Sequence, residues 1–287
     1  MPIDPVKAVS APPQAVSLAW DHKDVQLYHL GIGAGAPATD PGELRYTLES
    51  RLHVLPSFAT VAGGGAALAG GLSAPGIDVD LAAVLHGGQS VALHRPLPVR
   101  GTDVTRTSRV AAVYDKGKAA VIVLRTDAAD ADGPLWTSEA SIYVKGEGGF
   151  GGERGPRAER REPSARTPDF TVERAIREDQ ALLYRLSGDW NPLHADPEFA
   201  RLAGFERPIL HGLCSYGIVL KAVVDTALGG DVTRVRTYAT RFAGVAYPGE
   251  TLRIRMWREG DGRIRVAAGA VEREDAPVLT DTVVEHT

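Results

Sequence analysis

The chain has 287 residues, 44% of them hydrophobic, enough to bury one large core or two of medium size. Charged residues make up 24% and the formal net charge is −4, which argues against a general nucleic-acid binder. A single cysteine, Cys214, excludes an internal disulfide framework and any cysteine-cluster metal site.

In chain order, Ser57–Leu72 reads as an apolar helix weakened by Gly63–Gly65. In LHGGQSVALHRPLP, His86 and His94 read as a strand pair around a turn. Strands follow near Val104–Tyr114, Ala119–Arg125 and Leu135–Val144, the first two joined by the turn residues Asp115-Lys116-Gly117. From Gly146 to Pro168 the chain is Gly-rich, then strongly charged, and cannot bury itself. This stretch predicts a linker over 148–167, dividing the chain into units at 1–147 and 168–287.

In the second unit, Asp196 is placed to cap a short helix beginning at Pro197 and ending at Gly204. Leu213, Gly217, Leu220, Val224 and Ala227 recur at three- and four-residue spacing and mark a helix apolar on much of its surface. Strands follow near Arg234–Phe242, Thr251–Glu259, Arg263–Val271 and Val278–Glu285, with a hairpin turn at Gly260-Asp261-Gly262. Both units thus run loop, helix, then strands. They align without gaps at an offset of 156, which sets Tyr28-His29-Leu30 on Tyr184-Arg185-Leu186 (184 − 28 = 156).

Chemistry concentrates in Tyr184–Gly217, YRLSGDWNPLHADPEFARLAGFERPILHGLCSYG. Asp189, Asn191 and His194 lie in a loop broken by Gly188 and Pro192. A carboxylate and an imidazole together can exchange protons near neutral pH. Asn191 can hold a water or a carbonyl without changing charge. Gly212, at a helix start, offers a backbone N–H at the positive end of the helix dipole, where a developing enolate oxygen would rest. Asn is a poor metal ligand and spacing offers no third donor, so no metal is expected. At the offset of 156, Asp189 falls on Gly33, Asn191 on Gly35, His194 on Ala38 and Gly212 on Pro56, which has no N–H. The first unit therefore lacks every proposed functional group.

Asp189, Asn191, Pro192 and His194 complete a D-x-N-P-x-H motif, and Ile209–Gly217 reads ILHGLCSYG. This segment resembles the signature of hydratase 2, the (R)-specific enoyl-CoA hydratases of the MaoC-like dehydratase family. The resemblance implies an α+β double hot dog fold: two antiparallel sheets, each wrapping a central helix. It implies Asp189 and His194 as the catalytic pair, Asn191 positioning water, and Gly212 forming the oxyanion hole. It implies a non-catalytic N-terminal repeat that helps house the acyl chain, no cofactor, an acyl-CoA thioester substrate and a homodimer. His211 is assigned to shaping the helix entry and to substrate contact. CoA carries phosphates, so Arg236 and Arg241, on the first strand after the helix, are candidates to hold them. A dehydratase for carrier-protein-bound acyl chains, a non-catalytic acyl-CoA-binding protein and a thioesterase on the same fold are the competing readings.

No run of about 18 apolar residues occurs, so no membrane span is expected. Met1–Ala15 lacks the basic-then-apolar pattern of a secretory signal. The ending Glu285-His286-Thr287 is not a peroxisomal address, so the expected compartment is the cytoplasm.

Overall fold

A computed structural model describes residues 3–65, 72–80, 83–156, 166–260 and 262–287. Ten antiparallel strands form one continuous sheet: β1 (Gln14–Trp20), β2 (Val84–Leu93), β3 (Gly101–Asp115), β4 (Ala119–Asp130), β5 (Gly133–Lys145), β6 (Phe170–Ala175), β7 (Val235–Phe242), β8 (Thr251–Arg258), β9 (Arg263–Ala270) and β10 (Ala276–His286). Their order is β1-β3-β4-β5-β2-β7-β10-β9-β8-β6. Each half contributes five strands in the same relative order, and the halves meet at the antiparallel β2–β7 seam, where Ser90 faces Ala239. The two expected sheets are therefore joined edge to edge, which removes one exposed edge from each half.

The helix Gly212–Ala227 lies at the centre. All its residues from Cys214 to Val224 are buried, because the sheet and the loops of both halves surround it. Tyr216 stacks on Tyr238 of β7 (centroids 4.0 Å apart), and each hydroxyl donates to the other's backbone carbonyl (3.0 Å). Lys221, buried on this helix, holds Glu43 of the first half (2.7 Å) and Asp225 (2.8 Å). Tyr46 donates to the same Asp225 (2.7 Å), so a charged cluster spans the two halves. A smaller core, with Ile3, Ala8, Val113 and Ile142, is built on the first half alone.

The offset of 156 recurs in the fold. β1 begins at Gln14 and β6 at Phe170 (170 − 14 = 156). A 3-10 turn begins at Pro56 and the central helix at Gly212 (212 − 56 = 156). Tyr28, in the helix His22–Gly31, and Tyr184, in the helix Gln180–Tyr184, face each other with ring centroids 6.1 Å apart.

Two expectations are corrected. Among the described residues of the expected Ser57–Leu72 helix, 57–65 form a 3-10 turn over Pro56–Thr60 followed by turns in which Gly63, Gly64 and Gly65 take φ of 73°, 95° and 67°, and helical structure returns at Leu72. Three successive left-handed residues cannot continue a right-handed helix. Residues 66–71 of that expectation lie outside the described residues. His86 and His94 do not bracket a turn: β2 runs unbroken past His86, absorbs Gly87 as a bulge against β5, and ends just before His94. Residues 157–165 of the expected 148–167 linker also lie outside the described residues.

Candidate active site

Each element around Tyr184–Gly217 has a local cause. A 3-10 turn, Arg185–Ser187, ends at Gly188, whose φ of 117° few other residues adopt. Gly188 packs directly on the backbone of Gly64 and Gly65 in the first half, where a side chain would have no room. Asp189 follows at once, half-buried, and its Oδ1 accepts the Asn191 N–H (3.2 Å). The Arg185 guanidinium donates to the Trp190 carbonyl (3.0 Å) and lies over the Trp190 ring (5.0 Å), holding the loop from outside. Asn191 is exposed and its Oδ1 caps the next turn by accepting from Leu193 N–H (3.0 Å). Asp196 caps the helix Pro197–Leu202 through Glu198 N–H (2.8 Å), and Gly204 ends it at φ 88°. The chain then returns through Ile209 to the central helix.

The fold brings Asp189, His194 and His211 together: donor atoms of all three lie within 4.8 Å of one another. His194 and His211 stack with centroids 3.7 Å apart. His194 Nδ1 donates to the Ile209 carbonyl (2.9 Å), which leaves Nε2 as the lone-pair nitrogen of a neutral ring. Burial pushes the His194 pKa below the usual imidazole value, against the pull of the Ile209 bond and the Asp189 charge. His211 Nε2 donates to the Asp189 backbone carbonyl (3.2 Å), and its Nδ1 is buried without a hydrogen-bond partner. Burial, with His194 alongside, lowers the His211 pKa to about 2. Both rings are therefore neutral at physiological pH. Through its bond to that carbonyl, His211 fixes the backbone that carries Asp189. It is also the third donor that spacing along the chain did not reveal.

The Gly212 N–H has no partner among the described residues, while the His211 carbonyl accepts from Cys214 (3.0 Å) and Ser215 (3.2 Å). The amide is thus free at the helix tip, which favours negative charge. Phe242 lies against Gly212, within 3.2 Å of where a Cβ would stand, and His86 of β2 lies against Phe242 (4.7 Å). The Cys214 thiol, buried, donates to Gly31 O (3.3 Å) and its pKa is raised, so it serves packing.

The two candidate arginines do not join this cluster. Arg241 pairs with Asp281 (2.8 Å), and strand alternation puts it on the face of β7 opposite Phe242. Arg236 lies near the start of β7, roughly 20 Å of strand from Phe242. Residues that sequence reasoning passed over include Tyr184, whose buried ring packs on His211 (4.9 Å), Ile209, Phe242 and the Gly64-Gly65 turn. Ile209 acts through its carbonyl and the glycines through absent side chains, so their side-chain types carry no signal.

Among known proteins, residues 18–146 match the MFE-2 hydratase 2 N-terminal domain and residues 160–277 the MaoC-like domain. The chain is 48% identical over 282 residues to the enoyl-CoA hydratase ChsH3 of Mycobacterium tuberculosis, covering 98% of both chains. It is 40% identical over 257 residues to the peroxisomal enoyl-CoA hydratase 2 of Arabidopsis thaliana, covering 84% of this chain and 82% of that one. A MaoC-like dehydratase from Phytophthora capsici superposes with a TM-score of 0.89 at 32% identity, over 99% and 98% of the two chains. With hydratase relatives matched from end to end and the motif loop folded beside a free helix-tip amide, this chain belongs to the MaoC-like hydratase 2 family and has its double hot dog fold.

Proposed function

We propose that the protein hydrates trans-2-enoyl-CoA thioesters reversibly to (3R)-3-hydroxyacyl-CoA, with Asp189 and His194 handling the proton. The carrying observation is a neutral imidazole, His194, whose Nδ1 is bonded and whose Nε2 is left free, converging with the Asp189 carboxylate and stacked on His211, the residue just before the unpaired Gly212 amide. The substrate carbonyl rests on Gly212 N–H. A water is held by the Asp189 carboxylate, by the amide group of Asn191 and by His194 Nε2. Nε2 takes one proton as the water oxygen bonds to C3. Charge moves through the double bond onto the thioester oxygen, where the Gly212 amide and the helix dipole stabilise it. The imidazolium, itself stabilised by Asp189, then returns the proton to C2. One water is consumed, both its hydrogens end on the product, and one group working on one face makes the addition syn.

A single oxyanion donor contributes about 10² to 10³ in rate, and general acid–base work about 10² to 10⁴. The N-terminal repeat, without counterparts to these groups, supplies the walls that seat the loop and the acyl chain. Among the described residues no helix is long and apolar enough to cross a membrane. A homodimer in the cytoplasm completes the proposal; light scattering and cell fractionation read those two points.

The test is loss of enoyl absorbance with crotonyl-CoA, with stereospecific dehydrogenases reporting the product. Asp189→Asn and His194→Gln should each lower kcat by about 10² or more while the protein still melts cooperatively. Turnover surviving in either variant removes the assignment, and a preference for carrier-protein thioesters would redirect it to that substrate class.

A further inference from the structure

A cavity of about 220 Å³ lies at the other end of the β2–β7 seam. Its walls include Pro56, Leu93, Val99, Val235 and, at the rim, Arg95 and Arg236. Pro56 is the residue that the offset of 156 sets on Gly212, and the neighbouring wall residues Leu52, His53 and Val54 fall on Pro208, Ile209 and Leu210. Leu93 ends β2 as Phe242 ends β7. The cavity is therefore the first repeat's counterpart of the catalytic pocket, separated from it by roughly 20 Å of strand. The chemistry has gone: Pro56 has no N–H, and the positions matching Asp189 and His194 are Gly33 and Ala38. The space has not closed. Leu52, Val54, Leu93, Leu97, Val99 and Val235 give it apolar walls.

Its rim is basic. The Arg95 guanidinium is held by Asp130. Arg236, exposed, has no ion pair among the described residues, and His53 stands beside it on the rim. The nearby Asp231 carboxylate is already occupied by the N–H (2.9 Å) and hydroxyl (2.6 Å) of Thr233.

We propose that this cavity is a second, non-catalytic binding site for a medium-chain acyl group with an anionic head. At roughly 30 Å³ for each water-sized group, the volume takes a chain of about seven carbons. The rim cations face the head, and the walls take the tail. The inference stands on the repeat and the cavity alone, and no turnover is needed to read it.

Calorimetry with octanoate and with octanoyl-CoA, which has no double bond to hydrate, tests it. The full-length protein should bind one octanoate, and Asp189→Asn should bind it unchanged. Val99→Trp, which fills the cavity, should weaken octanoate binding at least ~10-fold, with crotonyl-CoA turnover unaltered. Thr233→Trp, at the exposed rim, does the same work if Val99→Trp does not fold. If octanoyl-CoA binds two equivalents to the native protein and one to the filled variant, thioesters are a source of the ligand. If it binds one to both while octanoate is lost, the site takes free carboxylates. Failure of octanoate to bind, or equal binding by the native protein and the folded filled variants, overturns the proposal.

Discussion

Gly188→Ala should damage catalysis as well as the fold, where a comparable glycine elsewhere costs stability alone. Gly188 sits at φ 117°, ψ 0°, a conformation that costs a residue with a Cβ about 1–3 kcal/mol. The same Cβ would land inside the Gly64 carbonyl, so the two turns must separate by about an ångström to regain ordinary contact near 3.5 Å. Asp189 is the next residue, and its carboxylate moves with the turn. A misplacement of that size costs on the order of 10² in rate. The expected variant therefore loses about 1–3 kcal/mol of unfolding free energy and about 100-fold in kcat. Gly204→Ala is the control. It too replaces a glycine at positive φ, 88°, but an added Cβ there meets nothing within 4 Å. It should lose stability and keep its turnover. Urea unfolding and crotonyl-CoA kinetics on both variants decide the matter. If Gly188→Ala turns over at the native rate, the first repeat does not position the catalytic carboxylate and the reasoning fails.

The remaining expectations concern protons and metals. His194 must be neutral to accept a proton, and its folded pKa lies below the ordinary value near 6.5. Activity should then be complete at neutral pH and lost only as pH falls through that depressed pKa; a kcat/KM profile falling already above pH ~6.5 contradicts this. His29 and His211 are buried neutral, with pKa values lowered to about 4 and about 2. Below pH ~6.5 the unfolded chain binds protons that the native one refuses, so each histidine contributes stability that is present above that pH. It drains as pH falls toward the folded value, by about 1.4 kcal/mol per pH unit. Chemical denaturation between pH 7 and pH 5 should show the decline. Since Asp189, His194 and His211 converge, a bound cation has to be tested directly: exhaustive dialysis against a chelator should leave kcat unchanged, and loss restored by a divalent ion would assign the cluster to a metal.

What could be read beforehand follows periodicity. The seven strands expected from alternation all exist, and β3, β4, β5 and β10 extend past their expected ends because pairing continues where alternation weakens. β1, β6 and the helix His22–Gly31 escaped notice: β1, QAVSLAW, is mostly apolar without strict alternation and buries only Leu18 and Trp20, and β6 is a half-exposed edge strand. The loop Asp189–His194 was legible because its chemistry resides in side chains in a fixed motif. The stacking of His211 on His194 was not, since it depends on a helix returning the chain to the same place, and neither were the contacts made by carbonyls and missing side chains. Arg236 illustrates the converse: its charge was visible, but only the fold shows which end of the strand it occupies.

The seam at Ser90 and Ala239 relates two halves that share one covalent chain. Were such halves identical copies held together by contact alone, every substitution would appear twice, and a proline at the helix tip would silence both centres. Fusion lifts that constraint. One half is free to accept Pro56 while the other keeps Gly212, so a single gene can hold a worker and an understudy whose duties drift apart.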